Sequence, residues 1–259
     1  MEKRADIQIY MLVAEPKGKD DPELIDNSLY TPIQCGANDS KYDICELKDN
    51  KDSDNISNMN WLFFENTGSY YIAKHINNKK YIGQCSYRRR LLFNKDFEFD
   101  TIFSNYDIIL PKPYKWGKDM YNMYKSIHNI IDFENCLNIV NELYPEYSNE
   151  VNLAKNNNLM LYYSSGFIMT SEDYKKYFNW LFSIFNEFIK RFNLTTIDNV
   201  IRHLVENKEL KNIKYNISIC AFLQERLFSI YVEHHYPLNK RFHIEYDKVN
   251  CWADKKYNY

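Results

Sequence analysis

The sequence predicts an α/β fold, Rossmann-like, with a mainly parallel sheet flanked by helices and a helix-rich C-terminal half. Short β-branched apolar runs, Ile7-Gln-Ile-Tyr-Met-Leu-Val13 and Lys80-Tyr-Ile-Gly-Gln-Cys85, have the pattern of strands buried on both faces. Between them Trp61, Phe64, Tyr71 and Ile72 recur at roughly helical spacing. Strand, helix and strand joined by short connections point to a parallel sheet rather than a sandwich.

The first strand ends at Ala14-Glu15-Pro16, where proline stops its continuation. Residues 17–58 carry Gly18, Pro22, Pro32 and Gly36 and read as loop, with at most short strands near 30–35. An irregular stretch of that length in a compact domain is more often functional than idle. A helix is expected from Met59 to His75, with Ser57 or Asn58 as its N-cap. The second strand runs directly into Ser86-Tyr87-Arg88-Arg89-Arg90, and residues 106–110 before Pro111 form a third. Helices are expected over 119–129, 133–143 and 146–155, and residues 159–163 and 167–169 read as a strand pair or a kinked strand divided by Ser164-Ser165-Gly166. Ser171 opens a long helix to Phe192 with Tyr174, Tyr177, Phe178, Leu181, Phe182, Phe185 and Phe188 on its apolar side. Helices over 196–206 and 217–235 follow. The economical division is one domain over 1–236 and a C-terminal tail, 237–259, of unassigned role.

Composition narrows the class. The chain has 259 residues, 45% of them hydrophobic, which is ample for a buried core. A net charge of −2, from 33 basic and 35 acidic side chains, argues against a sleeve that would bind nucleic acid by neutralising phosphates. The six cysteines have no C-x-x-C pair and no metal-finger spacing, so they read as reduced thiols, and the expected location is cytoplasmic, or host cytoplasm for a viral protein. No apolar run reaches the 18 residues of a membrane span and no signal peptide is expected, which leaves peripheral membrane contact open.

In open α/β sheets ligands bind beyond the carboxyl ends of the strands, so the residues just after each strand are the first candidates. Ala14 and Glu15 follow the first strand, and Ser86 to Arg90 follow the second. Guanidinium groups there can fork onto a diphosphate or carboxylate; the alternative is that they pair with Asp96, Glu98 and Asp100 on the surface. Asp52-Ser53-Asp54 is a D-x-D, the carboxylate pair that could hold Mn or Mg against a diphosphate, although it follows a polar loop instead of an apolar strand. Glu225, flanked by apolar residues and adjacent to Arg226, is either a catalytic base or half of a structural ion pair. The chain has only six glycines and lacks P-loop, G-x-G-x-x-G and G-x-S-x-G motifs.

Taken in order, several segments resemble a known family, the capsular-polysaccharide-synthesis, glycosyltransferase-like family termed domain of unknown function 4422. Its Tyr-x-Pro-Ile-x-x-Gly is matched by Tyr30-Thr-Pro32-Ile33-Gln34-Cys35-Gly36, and its Gly-Asp-Asn-Ile-Ser by Ser53-Asp54-Asn55-Ile56-Ser57. Glu65-Asn66-Thr67 and Tyr70-Tyr71 are similar to its Glu-Leu-Thr-x-x-Tyr-Trp helix, and Ile82 to Arg89 to a strand closing on His-Tyr-Arg-Arg. Asp107 to Pro111, Tyr144 to Tyr147, Phe167 to Met169, Trp180 to Phe182 and Glu225 to Leu227 extend the likeness over about residues 7 to 235. The resemblance implies a GT-A-like transferase using a nucleotide-diphosphate-sugar, a UDP-sugar, and a saccharide acceptor in surface polysaccharide or glycan synthesis. Strand-end position and the matched motifs together make Ala14, Glu15, Gly36, Asp54, Asn55, Glu65, Ser86, Arg88 and Arg89 the donor-binding candidates, and Ser165 and Gly166 the acceptor-binding candidates. Glu225, with Arg226, is the best positional fit for the late-chain acid that would serve as base in an inverting reaction. The chain departs from the pattern where the first-turn His becomes Ala14 and the His before Tyr-Arg-Arg becomes Ser86. The same departures suit a non-catalytic nucleotide- or carbohydrate-binding relative, and a purely structural protein is the third class. In GT-A folds the D-x-D follows a strand at the place held here by Ser86-Tyr87-Arg88, so arginine replaces the metal in this reading and Asp52 with Asp54 is the alternative.

Overall fold

The computed structural model describes residues 6–14, 29–93, 97–113, 120–207 and 216–248. Its strands are β1 (Ile7–Val13), β2 (Tyr30–Gln34), β3 (Leu47–Lys48), β4 (Tyr81–Ser86), β5 (Arg89–Leu91), β6 (Ile108–Pro111), β7 (Gly166–Thr170), β8 (Arg241–Ile244) and β9 (Tyr246–Lys248). The helices are α1 (Asn60–Phe63), α2 (Asn66–His75), α3 (Phe99–Phe103), α4 (Met120–Ile127), α5 (Ile130–Leu143), α6 (Ser148–Lys155), α7 (Ser171–Phe192), α8 (Ile197–Glu206) and α9 (Ile219–His235).

The strands form a single sheet in the order β3-β2-β1-β4-β7-β6-β8, with β5 attached to β4 and β9 to β5. β1, β2, β3 and β4 are mutually parallel, β7 runs against both β4 and β6, and β8 is parallel to β6. The carboxyl ends of β1, β2, β4 and β6 therefore share one edge, and β7 enters the sheet from it. The turn before β7 explains the reversal: the Ser86 N–H donates to the Ser165 carbonyl at 2.9 Å, which sets Gly166 opposite Cys85.

Side-chain alternation divides the core by face. Tyr10, Leu12, Ala14, Ile33, Cys35 and Ile82 face the larger core under α2, α5, α7 and α9, whereas Ile7, Ile9, Met11, Val13 and Cys85 face a smaller one. The expected stripe of α7 is buried throughout, from Tyr174 to Phe188. Thr170 caps that helix by accepting from the Asp173 N–H, and Asn193 closes it in the left-handed conformation.

Several sequence expectations shift. The helix expected from Met59 to His75 is broken at Phe64 and Glu65 into α1 and α2. The helix expected from 133 begins at Ile130, because the Asn129 side chain accepts from the Ile131 N–H and starts it a turn earlier. Helix 146–155 divides into a 3-10 turn, Pro145–Tyr147, which proline opens from its first position, and α6. Residues 159–163 make only one bridge, and the strand is β7. The segment read as a tail supplies β8 and β9, so the sheet extends past residue 236. Glu15, Asp96 and residues 249–259 lie outside the described residues.

Candidate active site at the carboxyl edge of the sheet

The edge is built around a helix brought unusually close to the strands. A Cβ on Gly68, in the first turn of α2, would stand 2.5 Å from Cys35 Sγ and 3.2 Å from Leu12 Cδ2, so only glycine lets the helix start directly over the ends of β1 and β2. The residue that ends α1, just before α2, is strained. Phe64 has φ 50° and ψ −126°, a region that side-chain-bearing residues avoid. Its carbonyl is fixed by Asn60 Nδ2 at 2.7 Å and Thr67 Oγ1 at 3.2 Å. Gly36, at φ +70°, makes room for Asn60, whose Cγ would lie 2.5 Å from a Cβ there.

The strained turn delivers Glu65 to the strand ends. Ser86 Oγ, at the end of β4, donates to Glu65 Oε1 at 2.9 Å, and the Cys35 thiol lies 3.5 Å from the Glu65 carbonyl oxygen. Burial pushes the Cys35 thiol well above its ordinary pKa, with Asp49 and Glu65 adding to the effect, so it stays protonated and inert. Asp49 is fully buried and holds the turn after β2: its carboxylate accepts from the N–H groups of Gly36 (2.7 Å) and Ala37 (3.1 Å) and from Ser57 Oγ (2.5 Å). Ala14 is buried at the end of β1.

Beyond Ser86 the chain turns at Tyr87 and Arg88 into β5. Arg88 is half-buried, its guanidinium 5.2 Å from the Tyr87 ring, and it forms no ion pair among the described residues. Glu98 bonds Thr101 and Asp100 acts on Lys80, so neither neutralises it. Arg89 lies over the Tyr163 ring at 4.1 Å, beside the Ser164-Ser165 turn, and Arg90 acts electrostatically on Tyr30 and Cys85. The edge thus gathers Ala14, Gly36, Glu65, Ser86, Arg88, Arg89, Ser165 and Gly166.

The D-x-D segment sits elsewhere, against the flank of α2. Tyr71 donates to Asp52 Oδ2 at 2.5 Å, Tyr70 to Asp54 Oδ1 at 2.7 Å, and His75 Nε2 to the Asp54 carbonyl at 2.7 Å. Burial first, and then these carboxylates, push both tyrosines to a pKa of about 12. Asn55 is spent within the same loop, donating to Asp52 O and accepting from the Ser57 N–H. Among the described residues no three His, Cys, Asp or Glu side chains converge to hold a metal ion.

Glu225 and Arg226 lie just before the middle of α9. Glu225 Oε2 accepts from Arg226 Nη1 at 2.6 Å, and the same nitrogen donates to the Phe222 carbonyl. Arg226, 2% exposed, also lies 5.1 Å from the Tyr124 ring. The far end of α9 is tied to the start of β8 by Arg241, whereas its N-terminal side meets α1, where Ser218 Oγ donates to the Trp61 carbonyl. Glu225 is in the helical layer, in the half of α9 nearer its contact with α1. Sequence reasoning missed Phe64, Asp49, Gln84 and Tyr163. Gln84 alone left a signal, as the polar residue inside an apolar strand.

A mainly parallel sheet with a reversed β7 and a polar carboxyl edge defines a Rossmann-like fold of the glycosyltransferase type. The chain belongs to the family described as a domain of unknown function (DUF4422), whose model matches residues 11–236. It is similar in fold to a solved structure described as the apo form of WbbM, a bifunctional glycosyltransferase, at 22% identity and a TM-score of 0.70. That likeness covers 96% of this chain and 46% of WbbM, so the chain spans about half of that relative's length. No curated protein matches it. Among the described residues no helix is long and apolar enough to cross a membrane.

Proposed function

We propose that the protein is a nucleotide-sugar-dependent glycosyltransferase of the hexosyltransferase class. It moves a sugar from a UDP-sugar to a saccharide acceptor in surface polysaccharide or glycan synthesis, with inversion. Family membership and the likeness to WbbM support the class. The observation that carries the reading is Arg88, a guanidinium without a carboxylate partner among the described residues, at the edge where a Rossmann-like sheet receives ligands.

Sugar transfer breaks the bond between the anomeric carbon and the diphosphate, and negative charge grows on the departing oxygen. A guanidinium already fixed there stabilises that charge without reorganising. Arg88 is the donor group for the diphosphate, with Arg89 beside it on Tyr163. Glu65, held by Ser86, accepts hydroxyl groups of the donor. Inversion needs a base on the face opposite the leaving group. Glu225, in the half of α9 nearer its contact with α1, is the candidate for that base and would take the acceptor's proton as that oxygen attacks.

A thermal-shift series with UDP, GDP, CDP and dTDP, followed by donor consumption, tests the reading, because a ligand of the folded state raises its apparent stability. UDP should raise the melting temperature and a UDP-sugar should be consumed. Transfer should also survive a chelator, since Ser86-Tyr87-Arg88 stands where the strand-end acids would be. Loss of transfer with chelator and its return with manganese would instead make Asp52 and Asp54 metal ligands. A shift without consumption favours a non-catalytic binding relative, the reading suggested by Ala14 and Ser86; no shift at all ends both.

A further inference from the structure

We propose that Gln84 is a positioning residue that holds the donor and acceptor sides of the carboxyl edge as one unit. The inference rests on the proposed function only for the meaning of those two sides; the coupling itself stands on the contacts. Gln84 is on β4, two residues before Ser86 and therefore on the same face, and it is completely buried. Its Oε1 accepts from Ser69 Oγ at 2.9 Å and from Tyr174 OH at 2.7 Å, while its Nε2 donates to the Ser164 carbonyl at 2.8 Å. One amide thereby joins β4 to the first turns of α2, to α7, and to the turn that precedes β7.

Two of these partners, Ser69 and Ser164, belong to opposite sides of the site, and Tyr174 anchors the amide to α7. Ser69 is one helical turn after Glu65, so it fixes the helix that places the carboxylate against Ser86. Ser164 adjoins Ser165, whose carbonyl receives the Ser86 N–H, and Tyr163, over which Arg89 lies. The carbonyls of Ser164 and Ser165 are thus both clamped by β4, one by a side chain and one by backbone. An amide offers an acceptor for two hydroxyl groups and a donor for a carbonyl at this one position at any pH, which a carboxyl group does only while protonated. The hydroxyls of Ser69 and Tyr174 are themselves buried, so removing the amide strands several polar groups together.

Gln84→Glu keeps the shape and removes only the donor: an ionised carboxylate faces the Ser164 carbonyl and repels it. Burial raises the pKa of such an acid, so on acidification it regains a proton and can donate again. The experiment measures amide exchange and UDP affinity by calorimetry in wild type, Gln84→Glu and Tyr174→Phe across a pH series. In Gln84→Glu at the alkaline end of the series, where the carboxyl is ionised, exchange of the Ser86 amide and of residues 164–166 should run about tenfold faster than in wild type at the same pH, UDP should bind about tenfold more weakly, and both should recover as the pH falls. Amides of α5 and α8 should not change. Tyr174→Phe, which leaves the Ser164 clamp intact, should leave the turn's exchange at the wild-type rate. Uniform acceleration across the chain, an unaffected turn, or equal loosening in Tyr174→Phe overturns the proposal. If wild type binds no UDP, the functional reading fails while the exchange data still decide whether Gln84 couples the two sides.

Discussion

Arg241 and Arg88 stand at opposite ends of the same sheet. Arg241 opens β8 beside Ile108, at the amino end of β6, and is 4% exposed. Its guanidinium donates to the Tyr236 carbonyl at 2.6 Å, to Tyr162 OH at 3.0 Å, to the Val232 carbonyl at 3.4 Å and to Glu233 at 2.9 Å. Two of these are carbonyls at the end of α9, which a cation both caps and favours electrostatically. Arg88, past the carboxyl end of β4, has an aromatic neighbour and, among the described residues, no carboxylate partner. Close by are a helix break and a strained Phe64. The amino end is finished by its own side chains; the carboxyl end keeps charge and strain in the arrangement a bound anion would complete.

That contrast is sharpest in stability. Arg241→Met should cost about 3–5 kcal/mol in urea unfolding, because it strands the α9 carbonyls and leaves Glu233 without its partner. UDP affinity should not change. A loss below about 1 kcal/mol would mean that water replaces the guanidinium and that the amino end is less finished than its contacts imply. The next effect is a pH dependence of the helical layer. His128 is buried, stacked on Phe222 at 4.0 Å and bonded to Asn216, and burial lowers its pKa from 6.5 to about 4. The unfolded chain takes up that proton first. The stability this histidine contributes is therefore full above pH 6.5 and is lost on acidification towards pH 4, by up to about 3 kcal/mol. His128→Phe should flatten the curve in that interval; an unchanged slope would place the acid sensitivity at another group.

The layers and most element positions were legible because they follow from periodicity. The alternation of Ile7 to Val13 and the stripe from Tyr174 to Phe188 are burial patterns, and burial is what selects them. The helix break at Phe64 was not legible, since Trp61, Phe64 and Tyr71 keep helical spacing and the strain is held by Asn60 and Thr67, which leave no pattern. Nor was the joining of β8 and β9, whose place depends on pairing with β6 and β5, distant in sequence. At the site, Ser86, Arg88 and Arg89 were found because a strand end is a local feature. Asp52 and Asp54 were singled out for their spacing, and the fold directs them to the tyrosines of α2. Gln84 and Asp49 act through partners that only the fold brings near.

A smaller effect tests the third arginine. Glu225→Gln removes the carboxylate from Arg226, which is 2% exposed, but the amide oxygen can still accept from it, so the expected loss of stability is about 1–3 kcal/mol. In the double variant with Arg226→Met the coupling should appear as non-additivity of at least about 0.5 kcal/mol. Turnover is then compared per folded molecule: a base at Glu225 predicts a fall of ~10²–10⁴-fold in Glu225→Gln. Normal turnover with a strong coupling would make the pair structural, resembling Arg241 more than Arg88.

The smallest expected change in stability belongs to Arg88 itself. Among the described residues Arg88→Ala breaks no ion pair and strands no buried group, so urea unfolding should stay within about 0.5 kcal/mol of wild type. UDP affinity should nevertheless fall by roughly 10- to 100-fold, the value of a charge-assisted contact to a diphosphate. Arg90→Ala supplies the control on the adjacent strand. Arg90 acts on Tyr30 and Cys85 in the smaller core, so its removal should leave UDP binding near the wild-type value. Equal losses from the two variants would show that UDP senses only the summed charge of the turn. An Arg88→Ala variant that binds UDP normally but unfolds early would reverse the comparison outright: the carboxyl-end arginine would then be the structural one, and the diphosphate site would have to be sought away from β4.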